Sequence, residues 1–465
     1  MTDIHSLVGW QNIFKCYPIF DNICAYLEPN DILLFQLTTK QLTPFFETLF
    51  RTQWNINRQL KRFVKDPVSF RSQLATYDAL ISGSFAVQFF ERKIWEDSEL
   101  DVYVEGWIDD QDSFDALGEY LVVNEGYTLQ SARTIANGGL SSDQERGWRI
   151  SGIKTYVRKL SGGKSTKIRI ICTTTTPLHA IIGVFGQTQM MNIISWDFAY
   201  SLFPDMTFIK RAAYSINGDE DDNSVADIYG ETLAMKYQRL GWTWEKAPAK
   251  NDLKNTHSLQ LTSNRHLGDP YTWIIPLDVG GITPGKPRSV LQHSFFKVEQ
   301  LVPYESIEPG HFIIHVRTVK SRLLRYTYTT SIHQHDRGSF WGSVEDILDD
   351  LEHFEISKFS EEEQETLFRK SRQHTKFKDQ IFGIEPEGWR FFDDQIPVWY
   401  EEHCKRQRER LRVENDEKFN VSDTSDLTLG AFQVMDDLIP SYMIVGVIIY
   451  LFRQRGSQRR NERNK

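Results

Sequence analysis

The sequence predicts an α+β protein. It reads as a short helical segment, then a mixed sheet with flanking helices, then a C-terminal extension whose pattern assigns no fold. Three observations predict this. Apolar residues between Pro18 and Phe50 recur at helical spacing, with breaks between them. The run Ala79-Leu80-Ile81-Ser82-Gly83-Ser84 passes from a buried strand into a glycine turn and a helix start. Then Glu99-Leu100-Asp101-Val102-Tyr103-Val104 alternates as a strand does. At 465 residues the chain has room for two or three domains. The expected divisions are 1–62, 66–245, 246–430 and a short apolar run with a basic tail at 438–465.

The first segment divides at Pro29. Pro18 to Leu27 is one helix, Asn30 or Asp31 caps a second over Ile32 to Leu37, and Leu42 to Phe50 forms a third that ends near Trp54. Three short helices bury too little surface to stand alone, so this piece needs a partner or a neighbouring domain.

From residue 66 the pattern turns mixed. Tyr77 to Ile81 and Leu100 to Val104 read as strands, and Phe85 to Glu91 as a short helix. Asp110 to Val122 places Phe114, Leu117 and Leu121 on one helical face. Ile150 to Leu160 and Lys167 to Thr173 bracket Ser161-Gly162-Gly163-Lys164-Ser165, a hairpin with a glycine turn. Helical stretches are expected after Pro177, through Met190 to Tyr200. The acidic run Gly218 to Asn223 lacks the ligand spacing of a calcium loop and reads as solvated. Further on, Lys246 to Arg265 reads as loop and Gly268 to Pro287 as irregular or β-rich. Ser360 caps a helix that opens on Glu361-Glu362-Glu363, and Glu401 to Leu411 is a charged, solvated helix.

Composition excludes several classes. A formal net charge of −9 argues against bulk nucleic-acid binding. Four widely spaced cysteines, with no C-x-x-C pair, fit a reducing compartment and neither a disulfide framework nor a zinc site. His333 and His335 lack further ligands and read as surface histidines. No basic-then-apolar leader pattern opens the chain, so a cytoplasmic or nuclear location is expected. Met443 to Phe452 is an apolar decapeptide followed by Arg453, Arg455, Arg459, Arg460, Arg463 and Lys465. It is shorter than the roughly 20 residues that span a bilayer. A buried element with a solvated tail is the favoured reading; a tail anchor or surface association with membrane is the alternative.

The candidate chemistry lies at the strand acids. Side chains alternate across a strand, so Glu99 and Asp101 point to one face. Facing a Gly83-Ser84 turn at a helix start, two such carboxylates can hold a divalent ion, Mg2+ or Mn2+, and a nucleotide triphosphate.

These residues carry a resemblance. Residues from about Pro18 to Trp242 resemble a family of fungal proteins in which an F-box-like segment precedes a nucleotidyltransferase-fold domain. The matching stretches are Phe70-Arg71-Ser72-Gln73-Leu74, Ala79 to Ser84, Glu99 to Val104, Met191-Asn192-Ile193-Ile194 and Lys236-Tyr237-Gln238-Arg239. The resemblance implies Glu99 and Asp101 as metal ligands, and Gly83, Ser84 and Arg169 on the nucleotide. It also implies a third acid on the second hairpin arm. That arm, Lys167-Ile168-Arg169-Ile170-Ile171, has none and carries cations instead, and the first acid is Glu99 where Asp is usual. A carboxylate from elsewhere, such as Asp197, would restore the triad.

Pro18, Ile23, Leu27, Asp31-Ile32 and Trp54 resemble an F-box. They imply docking on a Skp-type adaptor of a cullin ubiquitin ligase through Ile19, Ile23, Leu27 and Ile32. A helical cap packed on the following domain would bury those same residues. The favoured reading is a recognition or adaptor protein with a catalytically degenerate transferase fold. The alternative is an active metal-dependent nucleotidyltransferase acting on an unknown acceptor.

Overall fold

Two-sided apolar patterning makes the N-terminal helices both helical and anchored. The architecture is taken from a computed structural model, which describes residues 16–29, 31–32, 35, 43–95, 98–106, 112–134, 150–184, 187–214, 236–245, 264–301, 311–331, 339–364 and 389–421. Helix α1 (Tyr17–Ala25) opens with Pro18 in its first turn, where a missing N–H costs nothing, and buries Phe20 and Cys24. Phe20 meets Phe46 of α2 (Thr43–Gln53) edge to face at 5.1 Å. Asn55 caps α3 (Ile56–Leu60), and Asp66 caps α4 (Pro67–Thr76) by accepting from Val68 and Ser69. The expected helix over residues 32–37 falls largely outside the described residues; Ile32 itself is fully buried.

The chain divides into two units. The first comprises Met1–Arg288 and Phe295–Arg317, and the second Ser289–Ser294 and Thr318–Lys465. In the first, β1 (Leu80–Ser82) feeds α5 (Ser84–Glu91), all eight residues of which are buried. A helix apolar nearly all round belongs at the centre of a core. Strand β2 (Leu100–Glu105) follows, then α6 (Asp112–Val123), whose Phe114, Leu117 and Leu121 are buried together as their spacing predicts. Strands β3 (Thr128–Thr134), β4 (Ile150–Lys159) and β5 (Ser165–Thr173) come next. The β4–β5 turn places Gly162 and Gly163 at φ of 79° and 78°, the left-handed region that glycine enters without steric cost.

Helix α7 (Pro177–Val184) then leads to β6 (Asn192–Ile194) and β7 (Phe198–Ser201). This hairpin corrects the helical expectation for Met190 to Tyr200. A run buried on both faces has no periodicity to separate strand from helix. The turn decides it, because Ser195 Oγ accepts from the Phe198 N–H at 3.0 Å and donates to Asp197 at 2.7 Å.

Short strands β8 (Ala212–Tyr214) and β9 (Thr243–Glu245) pair in parallel. Beyond them, β10 (Asn264–His266) joins a separate three-stranded sheet with β12 (Phe295–Leu301) and β13 (His311–His315). Strand β11 (Trp273–Pro276) pairs with β7 at the edge of the main sheet. Among the described residues the main sheet therefore has eight strands, in the order β11-β7-β6-β1-β2-β5-β4-β3. All neighbours are antiparallel except β2 and β5. This is a mixed sheet with flanking helices, as expected, and the expected division at residue 246 opens onto residues outside the described ones. Residues 264–288 and 295–317 belong to the first unit, because β11 completes its sheet.

The N-terminal helices belong to that unit too. Trp54 is 1% exposed, donates through Nε1 to the Phe90 carbonyl at 3.1 Å and stacks edge-on against Trp273 at 5.7 Å. Arg92 closes the joint, its guanidinium 4.6 Å above the Trp54 ring and donating to the carbonyls of Cys24 and Leu27 and to Gln53.

Helix α8 (Arg288–Gln292) and strand β14 (Arg317–Val319) each start on the last residue of a first-unit segment and continue in the second unit, where β14 pairs with β15 (Tyr328–Thr330). Tyr328 packs on Trp341 of α9 (Phe340–Ile356) at 5.0 Å, and Asp393 ties the unit by accepting from the Arg325 N–H at 2.8 Å. The charged helix α10 (Ile396–Val421) is longer than its expected core of 401–411. At Ser360 the capping is done by Glu363, whose carboxylate accepts from both the Ser360 N–H and its hydroxyl, and not by the hydroxyl as expected. Among the described residues no helix is long and apolar enough to cross a membrane. The acidic run at 218–223, His333, His335 and the 438–465 tail lie outside the described residues.

Candidate functional site

The sequence brings the two acids together locally, and the sheet decides what faces them. Strand β1 runs into Gly83, whose φ of 75° and ψ of −153° are open to glycine almost alone. A Cβ at Gly83 would lie 2.7 Å from Asp101 Oδ2, so the turn is glycine for two independent reasons. Ser82 sits opposite Asp101 in the β1–β2 register and donates to the Asn192 carbonyl at 2.8 Å. Ser84 opens α5 and is nearly buried; its carbonyl accepts from Gln88. The Gly-Ser turn and the acid-bearing strand are thus adjacent, and the Asp101 carboxylate lies beside the first turn of α5, where negative charge is favoured.

On the far side of β2 stands β5, in parallel register, with Asp101 opposite Arg169. Paired residues share a face, so the cations of β5 meet the acids of β2 directly. Arg169 grips Asp101 with two donors, Nε to Oδ1 at 2.7 Å and Nη2 to Oδ2 at 2.8 Å. The same Nε lies 3.2 Å from Glu99 Oε2, and Lys167 Nζ lies 3.4 Å from Glu99 Oε1. Asp101 is 2% exposed. Two carboxylates therefore face two cations, and the forked guanidinium is a geometric match for the buried carboxylate.

This arrangement does not fit the metal expected at Glu99 and Asp101. A divalent ion needs carboxylate oxygens at about 2.0–2.6 Å, and both Asp101 oxygens are engaged by a guanidinium. No group of three or more His, Cys, Asp or Glu is arranged to hold a metal among the described residues. Asp197 supplies no third ligand: it sits in the β6–β7 turn on Ser195, and burial pushes its carboxyl above the usual range. Nor are the Nε and Nη2 donors of Arg169, expected on a nucleotide, available, because Asp101 takes both.

The expected partner-binding residues separate. On α1, Ile19 is 43% exposed and Ile23 is 36%, whereas Ile32 is completely buried and leaves the set. Leu27 is half-buried at the end of the segment, its carbonyl held by Arg92. Tyr26, absent from the expected set, is 91% exposed. Its spacing from Ile19 and Ile23, seven and three residues, was the available signal, since such positions share a helical face.

No protein-family model, curated protein or solved structure matches this chain.

Proposed function

We propose that this protein is a recognition or adaptor protein that docks through α1 onto a Skp-type adaptor of a cullin ubiquitin ligase. Its transferase-like sheet acts as scaffold. The observation that carries the reading is the two-sidedness of α1. Phe20 and Cys24 anchor the helix from one side, while Ile19, Ile23 and Tyr26 stay open to solvent on another. A cap that spent all its apolar residues on packing would leave no such stripe. A docking helix needs a fixed attachment and a free apolar face together, and aromatic and aliphatic anchors of this kind carry most of the energy of small interfaces.

The ion-paired acids support the non-catalytic half of the reading. Nucleotidyl transfer needs a metal-bridged triphosphate, and the chain's own cations hold Glu99 and Asp101.

The test is capture of a purified Skp-type adaptor by the full chain. Ile23→Asp and Tyr26→Ala should each cut capture by at least about ten-fold, the loss of a hot-spot contact, with melting temperature unchanged. Capture that survives Ile23→Asp in a folded protein overturns the docking face. Metal-dependent binding of a labelled nucleoside triphosphate that disappears in Asp101→Ala would restore the enzyme.

A further inference from the structure

The disagreement between the acid pair and a metal has a specific cause. The β2–β5 register puts Arg169 opposite Asp101, and the pleat puts Lys167 and Glu99 on that same face. The counter-charge on Asp101 is thus set by the sheet register through Arg169, whereas Lys167 reaches Glu99 from a more exposed position. Arg169 is mostly buried, and Gly83 closes the other side of Asp101 so tightly that a single added carbon would collide with its carboxylate.

We propose that Arg169, seconded by Lys167, permanently occupies the position a divalent ion would take, so that Glu99 and Asp101 form a closed ionic brace that admits no metal. Charge and geometry argue together. Two cations neutralise two carboxylates, so no net negative charge remains to draw an ion. An ion on the Asp101 oxygens would stand within a few ångströms of a guanidinium that stays protonated at any accessible pH. To bind, it would have to break a two-point charged contact at 2.7 and 2.8 Å around a buried carboxylate. The brace joins β2 to β5 at their one parallel seam, where no hairpin connects the strands. It stands independently of the docking surface, and Ile23→Asp should leave it untouched.

Manganese titration of the full chain, followed by the electron paramagnetic resonance of free Mn2+, tests this. Wild type and Glu99→Gln should titrate identically. Arg169→Gln should gain one Mn2+ site at least about ten-fold tighter than any on wild type, a conservative figure for removing a cation beside a divalent ion. Adding Asp101→Asn to Arg169→Gln should abolish it. A stoichiometric site on wild type that Glu99→Gln weakens would overturn the proposal. So would an Arg169→Gln protein that melts cooperatively and gains no site. Should Arg169→Gln not fold, the wild type against Glu99→Gln decides alone: identical titrations uphold closure, and a site lost with Glu99 refutes it.

Discussion

The outer face of α1 and the centre at Gly83, Asp101 and Arg169 are opposites in chemistry and in state. The α1 face is apolar and open: three large side chains stand in water on a helix already anchored from its other side. The centre is charged and closed: every acid that could bind a ligand already has a cation from the neighbouring strand. A sequence reading points to both as sites with equal ease. The difference is that unsatisfied apolar surface invites a partner, whereas satisfied charge does not. Availability, not residue type, separates a surface that can bind from one that only stabilises.

Stability measurements distinguish the closed centre from the open face. Arg169→Ala should have the largest effect, about 3–5 kcal/mol in urea denaturation, because it strands the buried Asp101 carboxylate. A loss below about 1 kcal/mol would mean that the centre is solvated and open, like the face of α1.

On α1, thiol labelling separates the anchored face from the free one. Burial, only partly offset by Arg92, pushes the Cys24 thiol from its ordinary 9.0 up to about 11, whereas Cys16 is exposed. At pH 8 this leaves Cys24 about a hundred-fold less thiolate than an ordinary thiol. Its labelling should lag far behind that of Cys16 and accelerate as the pH climbs towards 11. Equal rates would mean that α1 is not anchored.

Gly83→Ala should cost about 2 kcal/mol through its backbone conformation and the approach to Asp101. The smallest expected effect is that of Ile23→Asp on stability, within about 0.5 kcal/mol, since the residue is exposed. A larger loss would place Ile23 in the packing and return the segment to a simple cap.

Much of the fold was legible because local pattern and tertiary demand agreed. Phe114, Leu117 and Leu121 announced α6, and the paired glycines at 162 and 163 announced the β4–β5 hairpin. The β6–β7 hairpin was not legible, because Met190 to Ile194 is buried without a break and carries no alternation. Strand β11 lies inside the stretch Gly268 to Pro287, which reads as irregular or β-rich; only pairing with β7 fixes which four residues form the strand. Ile32 and Tyr26 exchanged roles for the same reason. Both are apolar residues near helix ends, and which one is covered depends on where the body of the unit lies.

By itself the sequence determined that Glu99 and Asp101 share a face, that Gly83 turns the chain, and that the second hairpin arm carries cations and no carboxylate. Those are consequences of backbone geometry over a few residues, which any strand of that composition obeys. Only the tertiary structure decided that β5 lies in parallel beside β2, in the one register that sets Arg169 on Asp101 and Lys167 near Glu99. Strand neighbours separated by more than sixty residues are chosen by packing of the whole sheet, and a one-residue slip would have turned the cations to its opposite face.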